Sequence, residues 1–484
     1  MIRRFRSACL LTALALVQSA HAASKPTPQT IIDEYLRAAG GAKVLAKVQT
    51  QTIVGNLTDE STGKTGSYSL IIKSPNRFYL ETIVESDHEM TAYNGMSAWG
   101  QNPSEGSRTL TGAASKEAEA SGRYWNSRLV DLKRDKLTVR LVGTESIRGR
   151  EAYHLAVTLG PRVTRDLYFD IGTHLIVREV DSSGAQFDYE EYRPISGIQT
   201  PFRIELRRGD RNYKIAVTRA DFNAPIDDSV FAFPRTTGAP LPDVHQLLFQ
   251  VQKNQKALEE IQKQYMCHAV SESDETDAKG RAKSTKEFDV YYVAGEEVRR
   301  HTATGGKPLS DKDRKKEDER FNKEFEKLTK KQPKQQEKDD EDLGIMLRAW
   351  RFTNPRWERF RGYDVIAVDF GPDPDHKAKG LAENLAQKLA GVMWIDAQAL
   401  DVVRAEAHFV DNMKIVGGVL ASLDKGSNLV WEQAKVNDEV WLPVYTEVHL
   451  TGRFLVFKGK ATMIEHYSDY KKFQADSKLL VSAE

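Results

Sequence analysis

The feature that most constrains the fold is that the same order of short segments occurs twice along the chain. Each half opens with apolar residues at helical spacing, at 31–48 and again at 247–265, and continues with segments in which apolar and polar residues alternate. Tyr-Phe-Asp at 168–170 corresponds to Trp-Ile-Asp at 394–396. The shared order and intervals predict a duplicated fold.

The alternating segments predict antiparallel strands with one face in contact with water. At 202–207, Phe, Ile and Leu alternate with Arg, Glu and Arg, and a similar alternation occurs at 444–450. Together with the opening helices, these strands predict an α+β fold with a high β-content in both halves.

The N-terminal segment has the features of a Sec-type signal peptide. A basic start that contains Arg3, Arg4 and Arg6 precedes an apolar run at 8–17 and the triplet Ala-His-Ala at 20–22. We therefore expect residues 1–22 to be removed and the mature protein to be periplasmic and free of a lipid anchor.

Two domains are expected in the mature chain, because its length exceeds what one hydrophobic core usually serves. A segment rich in Pro and Gly at 235–243 predicts a linker between domains at 23–234 and 244–484. A charged stretch at about 310–342 predicts a helical insertion in the second domain. This stretch is either a solvated helix with a polar tether or an arm that binds a partner.

Composition excludes several classes of function. Once residues 1–22 are removed, Cys267 is the only cysteine, so no disulfide is expected within the chain. The 67 Lys and Arg that remain against 69 Asp and Glu give a net charge of −2, which leaves no basic surface for nucleic acid.

Motifs of common hydrolases, nucleotide sites and zinc sites are missing, and the residues Asp373, Asp375 and His376 are better explained as a stiff loop. No catalytic residue, cofactor or metal is predicted.

Several segments of the first half carry a family resemblance. These are Ser-Pro-Asn-Arg-Phe-Tyr at 74–79, Ala-Tyr-Asn-Gly-Met-Ser-Ala-Trp at 92–99 and Thr-Pro-Phe at 200–202. The first half resembles the LolA/LolB superfamily of periplasmic outer-membrane lipoprotein-sorting carriers, and the second half resembles a divergent copy. The resemblance implies two half-open antiparallel β-barrels, each wrapped over helices, with a concave apolar face that accepts acyl chains.

Aromatic residues in or beside the strands are the candidate ligand-cavity residues. The alternative for each of them is ordinary packing between sheet and helix. The candidates are Trp99, Trp125, Tyr168, Trp394, Trp431 and Trp441.

The leading hypothesis is a non-catalytic periplasmic carrier or binding protein for lipids or acylated lipoproteins. The alternative is an envelope-stress sensor or scaffold that reads a lipid signal and docks a membrane-protein partner, for which the charged stretch would serve as an arm. An enzyme is the third possibility.

Overall fold

The computed structural model describes residues 26–104, 106–160, 163–234, 240–277, 280–293, 296–329, 344, 347–415, 421–454 and 457–472 of the 484-residue chain. The predicted signal peptide at 1–22, residues 235–239 of the predicted linker and residues 330–342 of the predicted insertion lie outside the described residues. No helix in the described part of the chain is long and apolar enough to span a membrane.

The first half begins with two short helices that pack on a large antiparallel sheet. Helix α1 (Pro28–Ala38) starts after Thr27, whose hydroxyl accepts from the Thr30 backbone N–H at 3.1 Å, and it buries Ile31, Ile32 and Leu36. Helix α2 (Ala42–Leu45) follows Gly40 and Gly41, whose φ angles of 128° and 97° let the chain turn. The single helical segment expected at 31–48 is therefore divided in two by this glycine pair.

The first sheet contains thirteen strands. Helix α3 (Gly112–Ser127) lies in the sequence between the sixth strand and the seventh strand. The strands are β1 (Thr50–Asp59), β2 (Thr65–Lys73), β3 (Arg77–Val84), β4 (Asp87–Tyr93), β5 (Ala98–Asn102), β6 (Gly106–Thr109), β7 (Thr138–Ile147), β8 (Arg150–Gly160), β9 (Val163–Asp170), β10 (Ile176–Asp181), β11 (Gln186–Ile195), β12 (Ile198–Arg208) and β13 (Arg211–Phe222). A short 3₁₀ turn at Asp228–Phe231 follows.

The strand order of the first sheet is simple. Strands β1 to β6 form one meander, β7 to β13 form another, and β1 pairs with β13 to join them. The two edges are β6 and β7, which α3 connects along the chain, and α3 contacts strands of both meanders. The sheet therefore does not close on itself, and α3 lies between its two arms.

The second half has helices α4 (Val244–Gln262), α5 (Asp311–Thr329) and α6 (Leu381–Ala386). Its strands are β14 (Tyr265–Asp277), β15 (Gly280–Val293), β16 (Glu296–Thr304), β17 (Lys307–Pro308), β18 (Trp350–Phe360), β19 (Tyr363–Pro372), β20 (Leu389–Asp396), β21 (Asp401–Phe409), β22 (Met413–Ile415), β23 (Ala421–Leu423), β24 (Asn428–Val436), β25 (Val440–Phe454) and β26 (Phe457–Lys472).

The two halves share the same overall strand order, although four strands precede the helix in the second half where six do in the first, and β22 and β23 lie off the main path. In the second half, the first strand β14 pairs with the last strand β26, and the edges β17 and β18 flank α5 in the sequence, as β6 and β7 flank α3. The prediction of a duplicated fold is confirmed by this strand order. The charged stretch expected as an insertion thus contains a helix in the same topological position as α3.

Helix α5 packs on the sheet through its apolar edge. Phe321 and Leu328 are buried against Val293 and Val298, and Arg300 pairs with Asp318 at 2.6 Å. In the described part of this stretch, the helix is therefore docked on β15 and β16.

The halves meet through a buried polar cluster, which we call the interface cluster and which comprises Ser97, Thr109, Arg356, Glu358 and Asp369. Arg356 donates to Thr109 Oγ1 at 2.6 Å and to Asp369 Oδ1 at 2.8 Å. Ser97 donates to Asp369 Oδ2 at 2.9 Å, and the Thr109 backbone N–H donates to Glu358 at 3.3 Å. Burial acts to lower the pKa of Arg356, but Asp369 and Glu358 outweigh it and raise it. Contacts between side chains, in addition to the chain connection, therefore hold the halves together.

Candidate functional site

A cavity of about 160 Å³ lies inside the first half, between the inner face of the sheet and helices α1 and α3. Alternation along the strands creates its apolar wall, because every second residue of β1 and β2 points inward. Its lining includes Ile53, Tyr68, Leu70, Ile72, Phe187 and Ile204 from the sheet, Tyr35 from α1, and Tyr124 and Trp125 from α3.

Trp125 of helix α3 lines this cavity. It packs against the two main hydrophobic clusters of the first half, and its ring meets that of Phe78 edge-on with centroids 5.0 Å apart. The helix thus contributes an aromatic wall that faces the apolar strands.

One part of the cavity wall is polar and charged. Glu179 lines the cavity and forms a buried ion pair with Arg165, which is 1% exposed. The other carboxylate oxygen of Glu179 accepts the hydroxyl of Tyr124 at 3.1 Å, and Arg165 donates to Ser121 Oγ at 2.7 Å. The charge of Glu179 is therefore already compensated within the protein.

The tyrosines around the cavity are held neutral. Burial raises the pKa of Tyr35 to about 12, and burial followed by the charge of Glu179 raises the pKa values of Tyr124 and Tyr189 well above the ordinary range. Their hydroxyls therefore act as hydrogen-bonding groups and not as bases.

Arg128 also lines the cavity, immediately after the end of α3. Its Nη1 donates to the backbone carbonyl of Asn126 at 3.1 Å, whereas its buried Nη2 has no hydrogen-bond partner among the described residues. Burial lowers the pKa of Arg128 to about 10, so the guanidinium remains charged at neutral pH.

The structure brings one of the six candidate aromatic residues to this cavity, namely Trp125. Trp99 is 3% exposed in a separate cluster with Met90 and Ala92, and its Nε1 donates to the Phe231 carbonyl at 2.9 Å. Tyr168 stacks on His154 with ring centroids 4.4 Å apart and packs on Ile147 and Val177, outside the cavity lining.

The candidates of the second half lie in its own sheet. The indole N–H of Trp394 donates to Glu358 at 3.0 Å, and that of Trp441 donates to Asp396 at 2.9 Å. Trp431 is half-buried on β24, opposite Ala405 and Thr446 of the neighbouring strands. Two of the three therefore hold buried carboxylates by hydrogen bonds.

Sequence reasoning missed Arg128 and the buried pair of Arg165 and Glu179, although a signal for this pair exists. On β9 the inward positions read Val163, Arg165, Leu167 and Phe169, so an arginine interrupts an apolar face. Glu179 is likewise buried on β10. A charged residue at an inward position predicts a partner nearby, since isolated buried charges are costly.

A second concave surface lies in the second half. A groove of about 750 Å³ runs between the start of α4 and the sheet, and Leu241, Leu247, Trp357, Ile366 and Leu400 contribute to its lining. Phe249 lies beside these residues with 63% of its surface exposed. The groove is apolar and open to solvent.

Groups with metal-binding chemistry are not clustered in the described part of the chain. No cluster of three or more His, Cys, Asp or Glu side chains there could hold a metal ion. Cys267 is a buried free thiol, and burial raises its pKa to about 11.

Comparisons with known proteins give similarities among solved structures. No protein-family profile and no curated protein matches the sequence. A DUF1329 family protein from Desulfovibrio piger and a LolA superfamily protein from Nitrosomonas europaea each match with 16% identity and a TM-score of 0.30, over 43% of this chain and 98% of theirs. The MucA/MucB complex of Pseudomonas aeruginosa matches with 11% identity and a TM-score of 0.19, over 92% of this chain and 99% of that one.

The resemblance to the LolA superfamily that the sequence predicted is thus confirmed as a similarity to a solved structure of that superfamily, which covers 43% of this chain.

Proposed function

We propose that the chain is a non-catalytic periplasmic carrier or binding protein for lipids or lipid-modified proteins, in which the cavity of the first half is the acyl site. The observation that carries this proposal is the apolar cavity between the inner sheet face and helices α1 and α3. Each methylene group transferred from water to such an environment contributes about 0.8 kcal/mol. The periplasmic location rests on the signal-peptide pattern at 1–22.

The size of the cavity adds a condition to the proposal. A cavity of about 160 Å³ accommodates a group of roughly the size of benzene, which is much smaller than an acyl chain. Binding therefore requires the helices to move away from the sheet, in a manner similar to a half-open barrel that widens around its ligand. The open edges β6 and β7 allow such movement without breaking a closed ring of strands.

Lipid extraction and native mass spectrometry of gently purified protein test the proposal directly. The variant Leu175→Trp fills the cavity from one of its half-buried lining positions and should reduce binding of a fluorescent acyl probe severalfold. Val142→Trp adds the same side chain at an exposed position and serves as the control. Absence of a co-purified lipid together with absence of probe binding by the wild type would refute the proposal.

The groove beside α4 supports the second candidate function, a sensor or scaffold that docks an envelope membrane protein. Its apolar lining and the exposed ring of Phe249 would suit a protein partner. A pull-down from envelope extracts with the wild type, Phe249→Glu and the control Leu381→Glu tests this candidate. Loss of one specific membrane protein with Phe249→Glu alone would favour docking, whereas equal recovery with all three would exclude this groove.

A further inference from the structure

The cavity of the first half contains a positive charge that the protein leaves without a counter-charge. Among the described residues no carboxylate forms an ion pair with Arg128, and its Nη2 is buried without a hydrogen-bond partner. The other charged group of the lining, Glu179, already pairs with Arg165. The net charge that the cavity lining presents to a ligand is therefore positive.

The backbone at Arg128 adopts a conformation that is unfavourable for residues other than glycine. Arg128 and Leu129 have φ angles of 47° and 58°, in the left-handed region where helices usually end with glycine. An arginine in this conformation costs free energy that a glycine would avoid. Leaving a buried guanidinium nitrogen unsatisfied adds a further cost. Both costs are offset if a ligand supplies an anion at this position.

We propose that the cavity binds an amphiphile with an anionic oxygen headgroup, a carboxylate or a phosphate, and that Arg128 binds this headgroup while the apolar strands enclose the chain. This inference rests on the proposed acyl-binding function and specifies its ligand class. Charge-assisted hydrogen bonds from a guanidinium to an anionic oxygen are strong and directional, so Arg128 discriminates against neutral lipids of equal chain length.

The test compares the fluorescent polyene cis-parinaric acid with its methyl ester, which has the same chain and no charge. The wild-type full chain should bind the acid at least about tenfold more tightly than the ester. Arg128→Gln should remove this preference, so that acid and ester bind with similar affinity, whereas Arg128→Lys should retain part of the preference. Arg134→Gln removes one exposed charge a few residues along the chain and serves as the matched control.

Each outcome of the comparison between acid and ester either supports or overturns the inference. Equal binding of acid and ester by the wild type would overturn it while leaving the acyl site intact, and binding of neither probe would refute the proposed function as well. If Arg128→Gln fails to fold, the preference of the wild type and its partial retention in Arg128→Lys decide. Competition by lysophosphatidic acid against oleic acid, with neutral monoolein as the control, then distinguishes a preference for a phosphate headgroup from a preference for a carboxylate.

Discussion

Arg165 and Glu179 face the interior of the first sheet from neighbouring strands, and their charges are buried together. Burial acts to lower the pKa of Arg165, but the combined interactions with Glu179, Tyr124, Asp181 and Glu117 outweigh burial and raise this pKa. The guanidinium also lies over the ring of Tyr124, 4.5 Å from its centroid. This pair is therefore a structural unit of the cavity wall, distinct from the unpaired Arg128.

Replacement of Arg165 by methionine should lower the free energy of unfolding by about 3 to 5 kcal/mol, because Glu179 would remain buried without a cation. Urea denaturation measures the loss. The double variant Arg165→Met, Glu179→Leu should recover most of it, since neither charge is then buried. A double variant as unstable as the single one would contradict this account.

Asp401 presents the opposite case, a buried carboxylate that is not compensated. Its Oδ2 has no hydrogen-bond partner within the described residues, and burial, with a smaller contribution from Asp396, raises its pKa to about 7. Because the pKa of Asp401 is higher in the folded state than in the unfolded chain, the folded state favours the protonated carboxyl. The contribution of this preference to the stability of the protein is fully present at pH 4 and below. It is lost as the pH rises towards 7.

The variant Asp401→Asn should therefore be more stable than the wild type above pH 7 and nearly equal to it at pH 4. Each pH unit between the folded and unfolded pKa values is worth about 1.4 kcal/mol, so the difference at pH 8 amounts to a few kcal/mol. Thermal melts from pH 4 to pH 8 measure it. A difference that does not change with pH would show that Asp401 titrates normally.

At the scale of elements, α3 determines the shape of the cavity by how closely it approaches the sheet. A Cβ atom at Gly122 would lie 2.1 Å from the backbone carbonyl oxygen of Asn76, at the turn between β2 and β3. Asn126, one turn later, donates to the Arg77 carbonyl at 3.2 Å. The helix is thus held against this turn at a distance that only glycine permits.

Gly122→Ala should destabilise the protein by about 1 to 3 kcal/mol, because the methyl group must push the helix away from the turn. Helix propensity alone would predict the opposite sign, a gain of up to about 1 kcal/mol. Thermal melting decides between the two. Lys116→Ala at an exposed position of the same helix should change the stability by less than about 0.5 kcal/mol.

The sequence predicts the elements well because alternation and helical spacing are local signals. It places strands over 202–207 and 444–450, where β12 and β25 lie, and it recognises the repeated order that both sheets follow. It does not distinguish Trp99 from Trp125, since both are aromatic residues in apolar surroundings. Which of them faces a cavity depends on where the sheet curves and how α3 inserts, and these are properties of the tertiary structure.

At the scale of the whole molecule, the division into domains at 23–234 and 244–484 remains a proposal with a consequence for stability. The two main hydrophobic clusters of the first half contain only its own residues. The interface cluster, in contrast, draws Thr109 and Ser97 from the first half and Arg356, Glu358 and Asp369 from the second. The first half is therefore self-sufficient in its core, whereas the buried charges of the second half depend on its partner.

The fragment 23–234 should therefore unfold cooperatively by itself, whereas the fragment 244–484 should melt at a lower temperature than the same half does in the full chain. Separation exposes the interface cluster and removes the hydroxyls of Thr109 and Ser97 from Arg356 and Asp369. Thermal melts of the full chain and of both fragments measure the difference.

Thr109→Val in the full chain isolates the contribution of one hydroxyl, because valine keeps the shape and removes the group that accepts from Arg356 at 2.6 and 2.9 Å. We expect it to cost about 1 to 3 kcal/mol, as for a buried charged donor that loses an acceptor. Thr111→Val is the control, since the Thr111 side chain forms no capping bond to α3. If Thr109→Val leaves the melting of the full chain unchanged, the interface cluster does not couple the two halves, and the second half is as independent as the first.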